Sequence, residues 1–302
     1  MKSNNCPLVS IITITYNRAN LIHRAIESIR RQTYRNYEHI IVDGASTDDT
    51  AEVVSSYGDE KIKYIRLEER GPSLQTLEGF NVSSGKYITF LDDDDEYLPT
   101  KIEKQVELFE QLPDSCGLIY CWMSYYDNND PVRSVRIHKT KLRGFVGDTV
   151  VERPQVSGTP TFMLRREVFG EFGGTWKEGI GLLMSDWELA ARICQKYQVD
   201  YVPESLVKVY INHGSSRLSS GFYQDQQERQ IIFHRYFLET FASVFEKYPE
   251  KRNYHAKVLA LSCMMLGRWK EAWPYYKILL SQQLSLKTLL LPSYCIFKRY
   301  VR

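Results

Sequence analysis

Four consecutive aspartates, Asp92, Asp93, Asp94 and Asp95, follow the apolar run YITFL (87–91) and precede Tyr97-Leu98-Pro99. Carboxylates this close repel one another, which raises the pKa of some of them unless a cation shares the site. Hard divalent ions such as Mg2+ or Mn2+ take oxygen ligands, commonly one or two carboxylates together with substrate phosphates. A diphosphate bridged by such an ion would neutralise the cluster and be neutralised by it. The competing reading is a solvated acidic loop, as most charge runs are; the apolar residues on both sides argue against it. An EF-hand is disfavoured, because no glycine or closing glutamate falls at the required offsets.

The elements that must position these carboxylates alternate in type. Residues 8–14 (LVSIITI) form an unbroken apolar strand, Asn20 offers an N-cap, and Ile22, Ala25, Ile26 and Ile29 share one helical face. Residues 39–42 (HIIV) make a second strand, followed by a helix that stops at Gly58, and 63–67 (KYIRL) a third. Leu74, Leu77 and Phe80 share the face of a helix closed by Gly85. Residues 87–91 are the fourth strand, Pro99 opens a helix carrying Ile102, Val106 and Phe109, and 118–123 (LIYCWM) is a fifth strand. Strands of this kind separated by helices predict a doubly wound α/β class with a parallel sheet covered on both faces. Ligands of such sheets bind beyond the carboxyl ends of the strands. Tyr16 and Asn17, Asp43, and the aspartate run all fall there.

After Asp127 the rhythm breaks. Residues 127–154 read as a polar excursion, followed by a short element at 161–164, a helix around 186–195 and a strand at 206–211. From 222 onward the pattern is helical. The expected division is a catalytic body at 1–221, with halves at about 7–127 and 128–221, and a helical extension at 222–302.

Composition narrows the class. The chain of 302 residues is 43% hydrophobic and 25% charged, with a net charge of only +2, so nothing global points to nucleic acid. The charge is unevenly placed: residues 222–302 carry 13 basic and 6 acidic side chains, net +7, which leaves −5 on the rest. A basic tail on a mildly acidic body suits an anionic surface such as phospholipid headgroups. The six cysteines are scattered without a CxxC pair, and MKSNNCPLVSIITITYN lacks the features of a signal peptide, which predicts free thiols in a reducing cytosol. No apolar run approaches the roughly 18 residues of a membrane span.

The segment VSIITITYNRANLIHRAIESIRRQTYRNYEHIIVDGASTDDT, followed by SSGKYITFLDDDDEYLP, resembles the nucleotide-binding half of a family-2 glycosyltransferase with the GT-A fold. The likeness is close over about 7–123 and looser to about 217. It implies a Rossmann-like, mostly parallel sheet flanked by helices, here with a C-terminal helical extension, and Mn2+ or Mg2+ as cofactor. It implies that Thr15, Tyr16 and Asn17 bind nucleotide, with Tyr16 against the base, and that Asp43 accepts hydrogen bonds at the uracil. Asp94 would be the direct metal ligand, with Asp92 or Asp93 turned to the ribose or supporting the ligand from behind. Asp186, in GLLMSDWELAARI, would be the general base, although Ser185 stands where relatives carry glutamate. His213 would complete the metal coordination, and Arg217 would reach phosphate. Thr159, Trp176 and Trp187 would line the acceptor subsite.

Structural readings stand beside several of these. Tyr16-Asn17 could simply turn the chain, Asp43 and Asp186 could be helix caps, His213 could be structural, and Trp187 could be core. Two departures from the family pattern matter. Gly44 replaces a second acidic residue, and Thr76-Leu77 replaces an Arg-Asn pair, leaving Arg70 or Lys86 to substitute for the phosphate-side arginine.

The function implied is an inverting transfer from a nucleotide-diphosphate sugar, UDP-sugar favoured, to a hydroxyl of a glycan or lipid-linked acceptor in cell-surface polysaccharide synthesis. A nucleotidyltransferase is the first rival, but it would carry a glycine-rich basic loop where TYNRANL stands. A non-catalytic nucleotide-sugar-binding protein is the second, disfavoured by the joint presence of Asp94 and Asp186. The protein is expected in the cytoplasm. Its basic helices would either make a peripheral contact with the inner membrane face or cap the body, with Leu259, Met264, Trp269 and Trp273 as core.

Overall fold

The computed structural model describes residues 6–156, 158–172, 185–212, 214, 223–282 and 289–300. Within them the chain forms two compact units. The first draws on Met1–Val146, Gln155–Trp176 and Arg192–Ser215, the second on Gly147–Pro154, Lys177–Ala191 and Ser216–Arg302.

The first unit is built on a sheet of strands β1 (Val9–Thr15), β2 (Tyr37–Asp43), β3 (Ile62–Arg66), β4 (Tyr87–Phe90), β5 (Glu96–Tyr97), β6 (Cys116–Asp127), β7 (Asp130–His138), β8 (Met163–Arg165) and β9 (Gln198–Ile211). They lie in the order β3-β2-β1-β4-β8-β6-β9-β5, with β7 paired to β6. The first four are parallel, as the apolar runs predict. Beyond β4 the sheet is mixed: β8 runs antiparallel to both β4 and β6, while β6 and β9 are parallel. The fifth strand of the sequence reading is thus not the neighbour of the fourth.

Helices α1 (Ile22–Arg30), α2 (Thr50–Ser55), α3 (Pro72–Val82), α4 (Lys101–Phe109) and α6 (Arg166–Phe172) belong to this unit, α5 (Gly147–Glu152) to the other. The expected faces of α1 and α4 are buried. Asn20 is not the cap of α1; the carbonyl of Arg18 takes the N–H groups of Leu21 and Ile22, and the helix starts one residue later. α3 corrects the sequence reading. It buries Gln75, Thr76 and Gly79, and leaves Leu74 exposed. A Cβ on Gly79 would stand 2.7 Å from Ile12 Cγ2, so only glycine lets this helix lie so close to the sheet. The polar excursion also holds order: β7 forms a hairpin with β6, and its residues are exposed up to His138.

In the second unit, α7 (Ser185–Lys196) contributes its first half, followed by α8 (Tyr223–Thr240), α9 (Ala242–Lys247), α10 (Asn253–Met265), α11 (Trp269–Gln282) and α12 (Leu291–Tyr300). Gly267, at φ +77°, ends α10 with its N–H on Met264 O at 2.9 Å and that of Arg268 on Cys263 O at 2.8 Å, a paired C-cap. Leu259 and Met264 are core, as one reading expected. Trp269 and Trp273 are not; they are 39% and 51% exposed. Among the described residues no helix is long and apolar enough to cross a membrane.

Trp187 is core too. Its indole N–H donates to Val150 O at 2.6 Å, and its ring packs on Phe237 and His255. His255 Nε2 meets Val151 O at 2.9 Å, and its Nδ1 meets His234 Nδ1 at 2.9 Å. The Val151 carbonyl can only accept, so the proton on His255 sits at Nε2 and His234 donates through Nδ1. Burial pushes both rings down, His255 to about 4 and His234, where His255 adds to the effect, to about 3.

Candidate active site

Thr15 and Asp43 are register partners at the carboxyl ends of β1 and β2. The Thr15 hydroxyl donates to Asp93 Oδ2 at 2.8 Å, which joins the end of β4 to the same place. The backbone ties the three together, with Gly44 N–H on Thr15 O at 3.0 Å and Leu91 N–H on Ile12 O at 3.0 Å. Gln75 braces the group from α3: its Nε2 donates to Thr15 O at 2.9 Å and Val42 O at 3.0 Å. The strand ends that lead into Tyr16-Asn17, Asp43 and the aspartate run therefore meet, as expected, through Thr15, Asp43 and Asp93.

Two turns close over these strand ends. Asn17 adopts φ +51°, which asparagine tolerates, and its carboxamide oxygen accepts Thr47 N–H at 2.7 Å while its own N–H donates to Ser46 Oγ at 2.8 Å. Ala45 adopts φ +63°, a costlier conformation for a residue that cannot bond locally. Asp43 holds it there. Its Oδ1 accepts Ser46 N–H at 2.9 Å and Ser46 Oγ at 2.6 Å, and its Oδ2 accepts the Tyr64 hydroxyl. Asp43 is fully buried, so its carboxylate shapes the turn. Tyr16 is half-buried, with the Arg70 guanidinium 4.6 Å from its ring centroid. Lys86 stands at the amino end of β4 and pairs with Glu110 at 2.7 Å, which takes it out of the site; Arg70, over Tyr16, is a cation at this rim, as is Arg66, whose Nη2 donates to Ser46 O at 2.6 Å.

The four aspartates have separate surroundings. Asp92 is exposed and Asp94 half-buried. Asp93 turns inward to Thr15, and burial, then the neighbouring Asp94, push it up to about 7 against the pull of Arg18. Asp95 is buried, with Oδ1 accepting Tyr210 N–H at 3.0 Å. Arg18 Nη1 lies 3.2 Å from Asp94 Oδ2 and 3.7 Å from Asp93 Oδ1. Arg24 donates to Asp94 O at 2.9 Å and to Asn128 Oδ1 at 2.8 Å, and stacks 3.8 Å over the Tyr210 ring. Two arginines and a hydroxyl thus help hold the run. Sequence reasoning missed Arg18, Ser46 and Gln75. Arg18 was visible as the cation in TYNRAN, directly after β1; nothing in the sequence marked Gln75.

The remaining candidates lie on other elements. Asp186 is in the first turn of α7, half-buried, with Oδ1 accepting Trp187 N–H at 2.8 Å. Trp187, offered as acceptor platform or core, is core, since its ring faces are covered by aromatic neighbours. Thr159 opens a 3-10 turn, Thr159–Thr161, in the first unit and is half-buried. Trp176, His213 and Arg217 lie outside the described residues.

The family model for glycosyl transferase family 2 matches residues 10–173. The chain belongs to this family. It is 41% identical over 128 residues to an uncharacterized glycosyltransferase of Rickettsia prowazekii, 42% of this chain and 40% of that one. It is 31% identical over 168 residues to TuaG of Bacillus subtilis, named for teichuronic acid biosynthesis, covering 55% of this chain and 65% of TuaG. With WfaP of Escherichia coli, named as a UDP-Glc:alpha-D-GlcNAc-diphosphoundecaprenol beta-1,3-glucosyltransferase, it shares 35% over 124 residues, 41% of this chain and 48% of WfaP. The chain thus spans less than half the length of the first and last of these relatives. Staphylococcus aureus TarS, solved with UDP-GlcNAc, matches at a TM-score of 0.61 and 16% identity over 96% of this chain and 88% of its own. The mannosyltransferase PcManGT from Pyrobaculum calidifontis, solved with GDP-Man and Mn2+, matches at 0.61 and 15% over 98% and 81%. At these identities the likeness is one of fold, which is GT-A.

For a family-2 glycosyltransferase, the donor set can be tested against a divalent cation. Asp92, Asp94 and Asp95 each offer a carboxylate oxygen, and these atoms lie within 4.8 Å of one another. An all-oxygen, negatively charged group of this size suits Mg2+ or Mn2+.

Proposed function

We propose that this family-2 member is an inverting glycosyltransferase. It moves a sugar from a nucleotide-diphosphate donor, UDP-sugar favoured, to a hydroxyl of a glycan or lipid-linked acceptor in cell-surface polysaccharide synthesis. The observation that carries this reading is the carboxylate group Asp92, Asp94 and Asp95, whose oxygens lie within 4.8 Å of one another at the end of β4. Tyr16 stacks on the nucleobase, and Arg70 takes the phosphate-side role that Thr76-Leu77 leaves empty. The turn fixed by Asp43 and Ser46 bounds the base pocket. Asp94 and Asp92 would hold Mn2+ or Mg2+, with Asp95 and His213 as further ligands. When bound, the ion neutralises charge on the departing diphosphate. Asp186, in the first turn of α7, takes the proton of the acceptor hydroxyl as that oxygen attacks the anomeric carbon from the face opposite the leaving group. Thr159 and Trp176 line the acceptor side. Residues 1–221 would form the catalytic body and 222–302 an extension to it.

A thermal-shift screen of nucleotide-sugars with and without Mn2+ tests the donor half. A UDP-sugar that stabilises the protein only with metal, and an Asp94→Ala variant that loses the response, are expected. A UDP-sugar that stabilises equally well without metal counts against the carboxylate group. Asp186→Asn should keep donor binding and lose transfer by about 100-fold or more; full turnover would remove Asp186 from the reaction.

A further inference from the structure

We infer that the outer face of α11 docks on the anionic surface of a phospholipid bilayer, an interaction that goes beyond the donor and acceptor chemistry above. Trp269 and Trp273 stand one turn apart, and Lys277 continues the same row, its ammonium 5.5 Å from the Trp273 ring centroid. Lys270 is exposed alongside. The helix has its own packed side: Ala272, Tyr276 and Leu279 belong to the core of the helical unit. The tryptophans are therefore not needed to hold α11 in place. The row continues laterally. Tyr276 lies 6.0 Å from Trp273 and donates its hydroxyl to Leu289 O at 3.5 Å, which ties the exposed Leu289 and Leu290 to this helix through Tyr276.

The partner follows from the chemistry of this face. Tryptophan and lysine together suit the headgroup level of a bilayer, where the indole is half immersed and the ammonium meets lipid phosphate. The segment 222–302 is net +7 while the rest of the chain is −5. Glu271, the acidic residue of α11, is engaged by Arg235 at 2.7 Å and Arg268 at 3.9 Å, away from the row. A second copy of this chain is a poorer occupant, because a face-to-face pair would oppose Lys270 and Lys277 with no carboxylate in the row. None of the described helices is long and apolar enough to cross, so the contact is interfacial.

Sedimentation of the full chain with vesicles tests this, using phosphatidylcholine alone against phosphatidylcholine with phosphatidylglycerol. Binding to the anionic vesicles, a blue shift of tryptophan emission and quenching by brominated lipid are expected. Lys270→Gln/Lys277→Gln should weaken the partition about 30-fold, taking the usual contribution of a basic residue at an anionic surface. Trp269→Ser/Trp273→Ser should weaken it about tenfold or more and abolish the shift. Both variants should keep the parent melting temperature and nucleotide affinity, which separates this outcome from a failure of the proposed catalysis. Equal binding to neutral vesicles, no binding, or binding indifferent to the tryptophans would overturn the inference. So would a tryptophan-dependent dimer in sedimentation velocity without vesicle binding.

Discussion

Replacing Gln75 is the most direct way to learn what holds the strand ends together. Its amide spans two carbonyls, Thr15 O at 2.9 Å and Val42 O at 3.0 Å, from a fully buried position. Gln75→Leu keeps much of the volume and removes both donors. Both carbonyls keep a backbone partner: Thr15 O the Gly44 N–H at 3.0 Å, and Val42 O the Thr15 N–H of the parallel β1–β2 ladder. Neither carbonyl is orphaned, so the loss is that of two neutral hydrogen bonds at about 1 kcal/mol each, which places this variant about 1–3 kcal/mol below the parent. Gln75→Glu is more informative. A carboxylate would face two carbonyl oxygens, so the fold admits the side chain only with its proton on. Its folded pKa is then raised above about 4.3, and its penalty grows as pH rises beyond that value at about 1.4 kcal/mol per unit. Relative to the parent at each pH, the glutamate variant should recover about 2–3 kcal/mol between pH 7 and pH 5, while the leucine variant stays level. Urea unfolding followed by tryptophan emission measures both. A glutamate deficit that does not move with pH, or a leucine variant within about 0.5 kcal/mol of the parent, would refute the bracing role.

Three further outcomes can be checked. Arg18→Ala removes the guanidinium 3.2 Å from Asp94 and should lower the melting temperature without metal while enlarging the Mn2+-induced rise; an unchanged Mn2+ response would show that Arg18 does not stand in for a cation. His39, His234 and His255 are held neutral by burial, to about 3, 3 and 4, so the unfolded chain gains protons the fold refuses as pH falls below about 6.5. Stability should fall there by up to about 1.4 kcal/mol per unit for each histidine, partly opposed by Asp93, whose raised pKa acts in the other direction; a flat urea midpoint from pH 6.5 to 5 would contradict this. Trp187→Phe should cost about 1–3 kcal/mol by orphaning the Val150 carbonyl and thinning the packing on His255, seen as a lower thermal midpoint.

The parallel half of the sheet was legible because β1, β2 and β4 are buried almost throughout and each carries an apolar stretch at its centre, leaving a pattern that admits little else. The rest hid for identifiable reasons. β9 was read from 206 only, because partners of β6 skip from Val202 to Ser205 and Pro203-Glu204 bulge out of the ladder, breaking the run. β7 is exposed and carries Arg133 and Arg136, the composition of a guarded edge strand, which in sequence looks like loop. α3 defeated the search for an apolar face since the side it buries is polar and small. In the site, Asp43 and the aspartate run could be found from position alone, whereas the assignment of Trp187 turned on which aromatic residues of a distant segment surround it.

Arg24 and Asp95 lash the acidic loop to β9 at Tyr210, so the loop cannot shift without tugging on the strand that ends at Ile211. A charge-removal scan through 92–95 would therefore mix unlike effects. Loss at Asp93 loosens the end of β1, loss at Asp95 slackens a strand far along the chain as well as taking an oxygen from the carboxylate group, and a lowered rate at Asp92 or Asp94 speaks most directly of what the loop grips.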